Sequence, residues 1–238
     1  MGTTEPRPAP PSRGSGPGPG GASAATTKPP LFDDAFRRRL RELLVWRRDV
    51  RRFQKTVPPE GTLEHLIELA TLAPSVGLSQ PWRFVVVDDP ARRRAVRENF
   101  ADCNAAALAS YAGERAKRYA TLKLEGLDDA PLQLAVFADR STTQGQALGQ
   151  RTMPESIEYS AVMAIHTMWL AARALGLGLG WVSILDPARI TALLEVPAEW
   201  RFIGYLCIGY AQSEDDVPAL ERVGWEERRP VAEFILRR

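Results

Sequence analysis

Residues 156–185 read SIEYSAVMAIHTMWLAARALGLGLGWVSIL, and the change of period inside this stretch sets the architecture. From Ser156 to Leu175, the residues Ile157, Ser160, Ala161, Ala164, Met168, Ala171 and Ala172 recur at helical spacing. They form one face of mostly small side chains, which lets a neighbouring element approach closely. Gly176, Gly178 and Gly180 then lead into a short apolar run. The spacing predicts a strand over Trp181–Leu185, a helix capped by Asp186 and running to about Leu194, and a further strand over Phe202–Tyr210. Alternation of this kind predicts a sheet with flanking helices, in an α/β or α+β arrangement.

Working towards the N-terminus, the polar run Asp139–Glu155 reads as a long loop, and loops of that length inside a domain tend to be functional. Leu132–Ala138 and Trp82–Val87 read as strands bounded by turn residues. Ala91 to about Leu124 is rich in helix formers and is broken at Gly113, which predicts two helices. A helix with Leu63, Leu66, Ile67 and Ala70 inward starts after Pro58 and Pro59, with Thr62 as its cap. The first helix carries Phe32, Phe36, Leu40, Leu43 and Leu44 at helical spacing and ends near Trp46. Residues 1–30 are rich in Pro, Gly, Ala, Ser and Thr and are expected to be a disordered tail, leaving 31–238 as one folded domain.

Charge is nearly balanced, with 31 basic and 29 acidic residues giving a net charge of +2. No broad field for nucleic acid or an anionic membrane follows from that balance. The apolar runs are interrupted by charges and glycines, so no membrane span is expected. Cys103 and Cys207 lack metal-ligand spacing and do not make a disulfide framework, which fits a reducing cytoplasm and buried structural roles. His65 and His166 lie in predicted helices without partner ligands, so no metal site is expected. No Gly-x-Ser-x-Gly elbow occurs, which removes the serine-hydrolase reading.

Two local patterns carry chemistry. Arg47, Arg48 and Arg51 surround Asp49 and Val50 just past the first helix. Guanidinium forks match phosphate oxygens two bonds at a time, so the cluster suits a phosphorylated ligand. Cations at a helix end also complement the helix dipole, so the cluster alone supports either reading. Asp49 would repel a phosphate and therefore points elsewhere, with a reactive centre as one destination. Residues 73–82, APSVGLSQPW, form a loop with rigid proline ends, in which Gly77 lets backbone amides approach a ligand. A plain helix-to-strand connection explains that loop equally well.

Read together, these segments resemble the nitroreductase superfamily, and within it the 5,6-dimethylbenzimidazole synthase branch. The matching residues are Arg47–Arg51, Ala73–Leu78, Gln80–Trp82, Leu122–Gly126, Tyr159–Ser160 and Gly178–Leu185, within a span from about Leu43 to Pro230. Asp49 in the arginine motif, together with the Gly-Trp-Val-Ser run, is what points to the branch. The resemblance implies an α+β fold, a mixed sheet flanked by helices, built as an intertwined homodimer with FMN at the subunit interface. It implies that reduced FMN is consumed as substrate, with dioxygen as co-substrate, giving 5,6-dimethylbenzimidazole, the lower ligand of cobalamin, and erythrose 4-phosphate. A separate flavin reductase would supply the reduced FMN.

By the same resemblance, Asp49 handles protons at the flavin ring and Ser183 orients the oxygenated species. Arg47, Arg48 and Arg51 hold the phosphate, with Arg228 as a further ligand. Val50, Pro74, Ser75, Gly77, Leu124, Gly180 and Trp181 line the flavin site, the Ser75 loop reaching it from the other subunit. The Asp139–Glu155 loop would be a lid. Ser79, His166 and Thr167 depart from the branch pattern. The competing functions are an NAD(P)H-dependent nitroreductase or flavin reductase, which Asp49 disfavours, and a non-enzymatic flavin carrier.

Overall fold

The computed structural model describes residues 28–238. Most of the expected N-terminal tail, residues 1–27, lies outside the described residues. The chain runs α1 (Asp34–Trp46), α2 (Thr62–Ala70), β1 (Trp82–Val86), α3 (Pro90–Ala109), α4 (Gly113–Ala120) and β2 (Leu132–Asp139). It continues with α5 (Ser156–Ala174), β3 (Gly178–Val182), α6 (Pro187–Leu193), β4 (Trp200–Gly209) and α7 (Ala219–Arg222). The break at Gly113 falls where the sequence puts it, and the residue sits there at φ +58.

The sheet has the order β1-β2-β4-β3, and every pairing between its strands is antiparallel. Among the described residues, the parallel component of the expected mixed sheet is a lone bridge between Asp49 and Leu179. Side chains alternate across β2 and β4 because successive residues of a strand face opposite sides. Leu134, Val136, Ala138, Leu206 and Ile208 join Leu66, Ala161, Ile165 and Met168 in one core. Ala135, Phe137, Tyr205 and Cys207 join Val96, Leu185 and Ile190 in the other. Both faces are therefore covered, α2 and α5 on one side and α3 and α6 on the other, which is why β2 is apolar almost throughout. Burial pushes the Cys207 thiol well up from its ordinary range, as expected of a structural cysteine.

The boundaries of β3 and α2 differ from the sequence reading. The third strand begins at Gly178 and ends at Val182, so Ser183 lies beyond it. The glycines are strand residues because Val50 lies across them. A Cβ at Gly178 would fall 2.6 Å from a Val50 methyl, and one at Gly180 would fall 2.0 Å from the Val50 carbonyl oxygen. The N-cap of α2 is Gly61 at φ +80, with Thr62 as the first helical residue. α1 is capped by Asp33, which accepts the Phe36 N–H at 2.7 Å, but none of its residues is buried. Its apolar stripe of Phe32, Phe36, Leu40 and Leu44 is left uncovered by this chain.

Candidate active site

The arginine motif is laid along the free edge of β3. Val50 donates its N–H to the Leu179 carbonyl at 3.1 Å, starting a fifth strand that the side chain of Asp49 then interrupts. Oδ1 of Asp49 accepts the Trp181 N–H at 3.0 Å, taking the place of a backbone acceptor. Oδ2 accepts from Arg51 Nε at 3.0 Å and Nη2 at 2.8 Å. Arg51 also donates to the Lys123 carbonyl at 3.1 Å. Downstream, Phe53 is fully buried, and Gln54 and Gln212 tie the strand exit to the end of β4. A Cβ at Gly126 would fall 2.3 Å from the Phe53 ring. The carboxylate is thus oriented by two independent anchors on a fixed edge.

Asp49, Val50, Arg48 and Arg51 line a cavity of about 290 Å³, near the lower end for ligand pockets. Thr121, Leu122 and Lys123 form a second wall, and residues 213–223 close a third. That third wall is docked outside the cavity by Trp225, which meets Tyr111 edge-on at 5.7 Å and stacks with Arg115 at 5.1 Å. Lys123 pairs with Glu125, whose other oxygen accepts the Leu127 N–H. Leu124 follows Lys123 and is half-buried.

Arg47, Arg48 and Arg228 feel one another's charge. Burial lowers the Arg47 pKa, and Arg228 adds to the effect against Asp49. Burial lowers that of Arg48 too, with Arg47 and Arg228 contributing. Arg228 shares a neighbouring hollow with Arg41, Arg48 and Asp216. The Arg48 Nε is buried without a hydrogen-bond partner. Crowded, under-neutralised guanidiniums with a spare buried donor fit a phosphate dianion.

Not all sequence-chosen residues converge here. Pro74, Ser75 and Gly77 sit in a loop against the start of α5, where Val76 donates to Ser160 Oγ at 3.0 Å. The arginines sit near the other end, where Trp169 meets Arg48. Nine residues of helix separate these anchors, roughly 13–14 Å at 1.5 Å per residue. The expected lid lies beside the Ser75 loop: Gln144 donates to the Leu78 carbonyl at 2.8 Å, and Gly145 packs on Gly77. Ser183 is exposed and does not line the cavity. Three arginines elsewhere serve as struts: Arg92 reaches the Leu193 carbonyl, Arg93 those of Val87 and Pro131, and Arg97 pairs with Asp128. Among the described residues, no helix is long and apolar enough to cross a membrane, and no acid, His and Cys group could hold a metal ion.

The sequence signature of the nitroreductase family matches residues 44–210, which contain the arginine motif and all four strands. The chain belongs to the nitroreductase family. It is 61% identical over 201 residues to a 5,6-dimethylbenzimidazole synthase of Rhodospirillum rubrum, covering 84% of this chain and 95% of that protein. A protein of the same name from Rhodobacter capsulatus is 50% identical, covering 84% and 96% of the two chains. A crystal structure of an iodotyrosine deiodinase bound to FMN and 3-iodo-L-tyrosine superposes with a TM-score of 0.66 at 26% identity, covering 83% of this chain and 97% of that one. The nitroreductase-like α+β fold inferred from the motifs is the fold observed.

Proposed function

We propose that this chain is a 5,6-dimethylbenzimidazole synthase that takes reduced FMN and dioxygen and releases 5,6-dimethylbenzimidazole and erythrose 4-phosphate. The observation that carries the reading is the Asp49 carboxylate, fixed on the cavity wall by the Trp181 amide and by Arg51, inside a phosphate-fitting arginine cluster. Identity of 61% to a protein bearing that name supports it. Bound reduced FMN supplies the electrons that activate dioxygen, and the residues around it supply orientation and proton transfer.

Arg47, Arg48 and Arg228 hold the phosphate, each charge-assisted bond contributing about 1.5–3 kcal/mol. Gly180 and Gly178 keep the β3 edge flat enough for Val50 to lie on it. Asp49 spends one lone pair on Trp181 and others on Arg51, and a carboxylate has about four acceptor sites, so capacity towards the cavity remains. A carboxylate so placed takes and returns protons at ring carbon and nitrogen centres, as fragmentation requires. By resemblance alone, Ser183, exposed and outside this cavity, is assigned to orient the oxygenated species.

The functional unit is a homodimer. α5 presents Tyr159, Val162 and Met163 to solvent, and α1 presents its uncovered stripe. Pairing two chains through these faces covers both and brings the Ser75 loop and the 139–155 lid of one subunit to the flavin ring held by the other. Reduced FMN comes from a separate reductase in the cytoplasm.

The test is to mix purified protein with chemically reduced FMN without oxygen, admit air, and analyse products by mass spectrometry. Dimethylbenzimidazole in stoichiometric amount supports the proposal. Intact FMN with rapid NAD(P)H oxidation would make the protein a flavin reductase, and intact FMN without it a carrier.

A further inference from the structure

Trp169 lies in the last third of α5, half-buried, and touches both arginines that precede Asp49. Its indole N–H donates to the Arg48 carbonyl at 3.0 Å, fixing the peptide at which α1 gives way to extended chain. Its ring face carries Arg47, with Cζ 4.8 Å from the centroid. Its ring centroid lies 6.5 Å from that of Trp181, the residue whose amide holds Asp49.

Arg47 is partly withdrawn from water, which lowers its pKa, and it feels both the attraction of Asp49 and the repulsion of Arg228. A carboxylate would hold it but would occupy the N–H edge, as Asp49 occupies that of Arg51. An aromatic face grips a guanidinium by its flat side and leaves the edge donors open. Electrostatic recognition is strongest when donors are already aimed and need no reorganisation.

We infer that Trp169 is a positioning residue for phosphate recognition: it stacks Arg47 and pins the Arg48 carbonyl so that both guanidiniums are preset for a phosphomonoester. This inference rests on the reading of the cluster as the FMN phosphate site.

The experiment is fluorescence titration of the full chain with oxidised FMN and with riboflavin, which lacks the phosphate. In Trp169→Leu the FMN-over-riboflavin affinity ratio is expected to fall roughly tenfold, with riboflavin affinity unchanged. Trp169→Phe keeps the ring face and is expected to stay within about threefold of wild type. Adding Trp169→Leu to Arg47→Ala should lower the ratio by less than Trp169→Leu does alone, because part of the tryptophan's effect acts through that arginine. An unchanged ratio in Trp169→Leu, or equal loss of both ligands, overturns the inference. If the leucine variant does not fold, a loss well beyond threefold in the phenylalanine variant overturns it. A wild-type ratio near one removes the phosphate reading itself, which separates that failure from failure of the tryptophan's role.

Discussion

The two ends of α5 are built differently. At the Trp169 end, the arginine motif is locked by backbone pairing to Leu179, by the Asp49–Trp181 bond and by the buried ring of Phe53. At the Ser160 end, the Ser75 loop and the 139–155 loop hold mainly each other, and Leu78, Leu148 and Met153 stand exposed. On the proposed reading, a ligand's phosphate is received by one chain alone. The proposed dimer brings to the flavin ring surfaces that this chain presents outward, away from its own arginines. The contrast supports the proposal that the flavin's anchor and the acid belong to one chain and the cover over its ring to a second copy.

The most severe break in that division is Asp49→Asn. Asparagine keeps an oxygen for the Trp181 amide but cannot act as a base, so benzimidazole formation should fall about 10²–10⁴-fold while FMN affinity changes only a few-fold. Product mass spectrometry and flavin titration on one preparation check both halves. Next in size is Met163→Glu combined with Val162→Glu on the exposed face of α5. Burying two unpaired carboxylates in the dimer contact should give a monomer by light scattering, with product formation down at least about tenfold. The monomer should still prefer FMN over riboflavin, because on the proposed reading the phosphate end is complete in one chain.

Gly180→Ala sharpens the near end. Its methyl would overlap the Val50 carbonyl, so the motif must shift from the β3 edge at a cost on the order of 1–3 kcal/mol, read as a lower melting temperature and weaker FMN binding. The smallest effect is expected at Glu214. Hydrogen bonds from Arg173 outweigh burial and hold its carboxyl below the ordinary range. The contribution of this pair is therefore full at neutral pH and is lost as pH falls through that lowered value. Glu214→Gln should cost under about 1 kcal/mol at pH 7, given the half-exposed side chain, and nothing at acid pH.

The sequence showed the near end better than the far one because the motif is contiguous: Arg47–Arg51 declares its donors and its acid within five residues. Helix periods were equally legible, and α1, α3, α4 and α5 fall within a few residues of expectation. The start of β3 was not, because Gly178 and Gly180 read as a lead into the strand when they are in fact strand residues and the floor beneath Val50. Strand directions also escaped, since pairings such as Val86 with Leu134 join residues far apart in the chain. Trp169 and the 213–223 wall come from distant segments with ordinary local patterns. They could be found only once the fold placed them around Asp49.

Subunit complementation tests the divided site most directly. Asp49→Asn removes the acid at one end. Gly77→Val disrupts the other, because a side chain there meets the Leu148 carbonyl at 2.9 Å. Each variant alone should form almost no dimethylbenzimidazole from reduced FMN and air. Unfolded and refolded together, the two should regain roughly a quarter of wild-type product, since half the dimers are mixed and each mixed dimer has one intact site. No recovery from a verified mixed dimer would contradict a site shared between subunits.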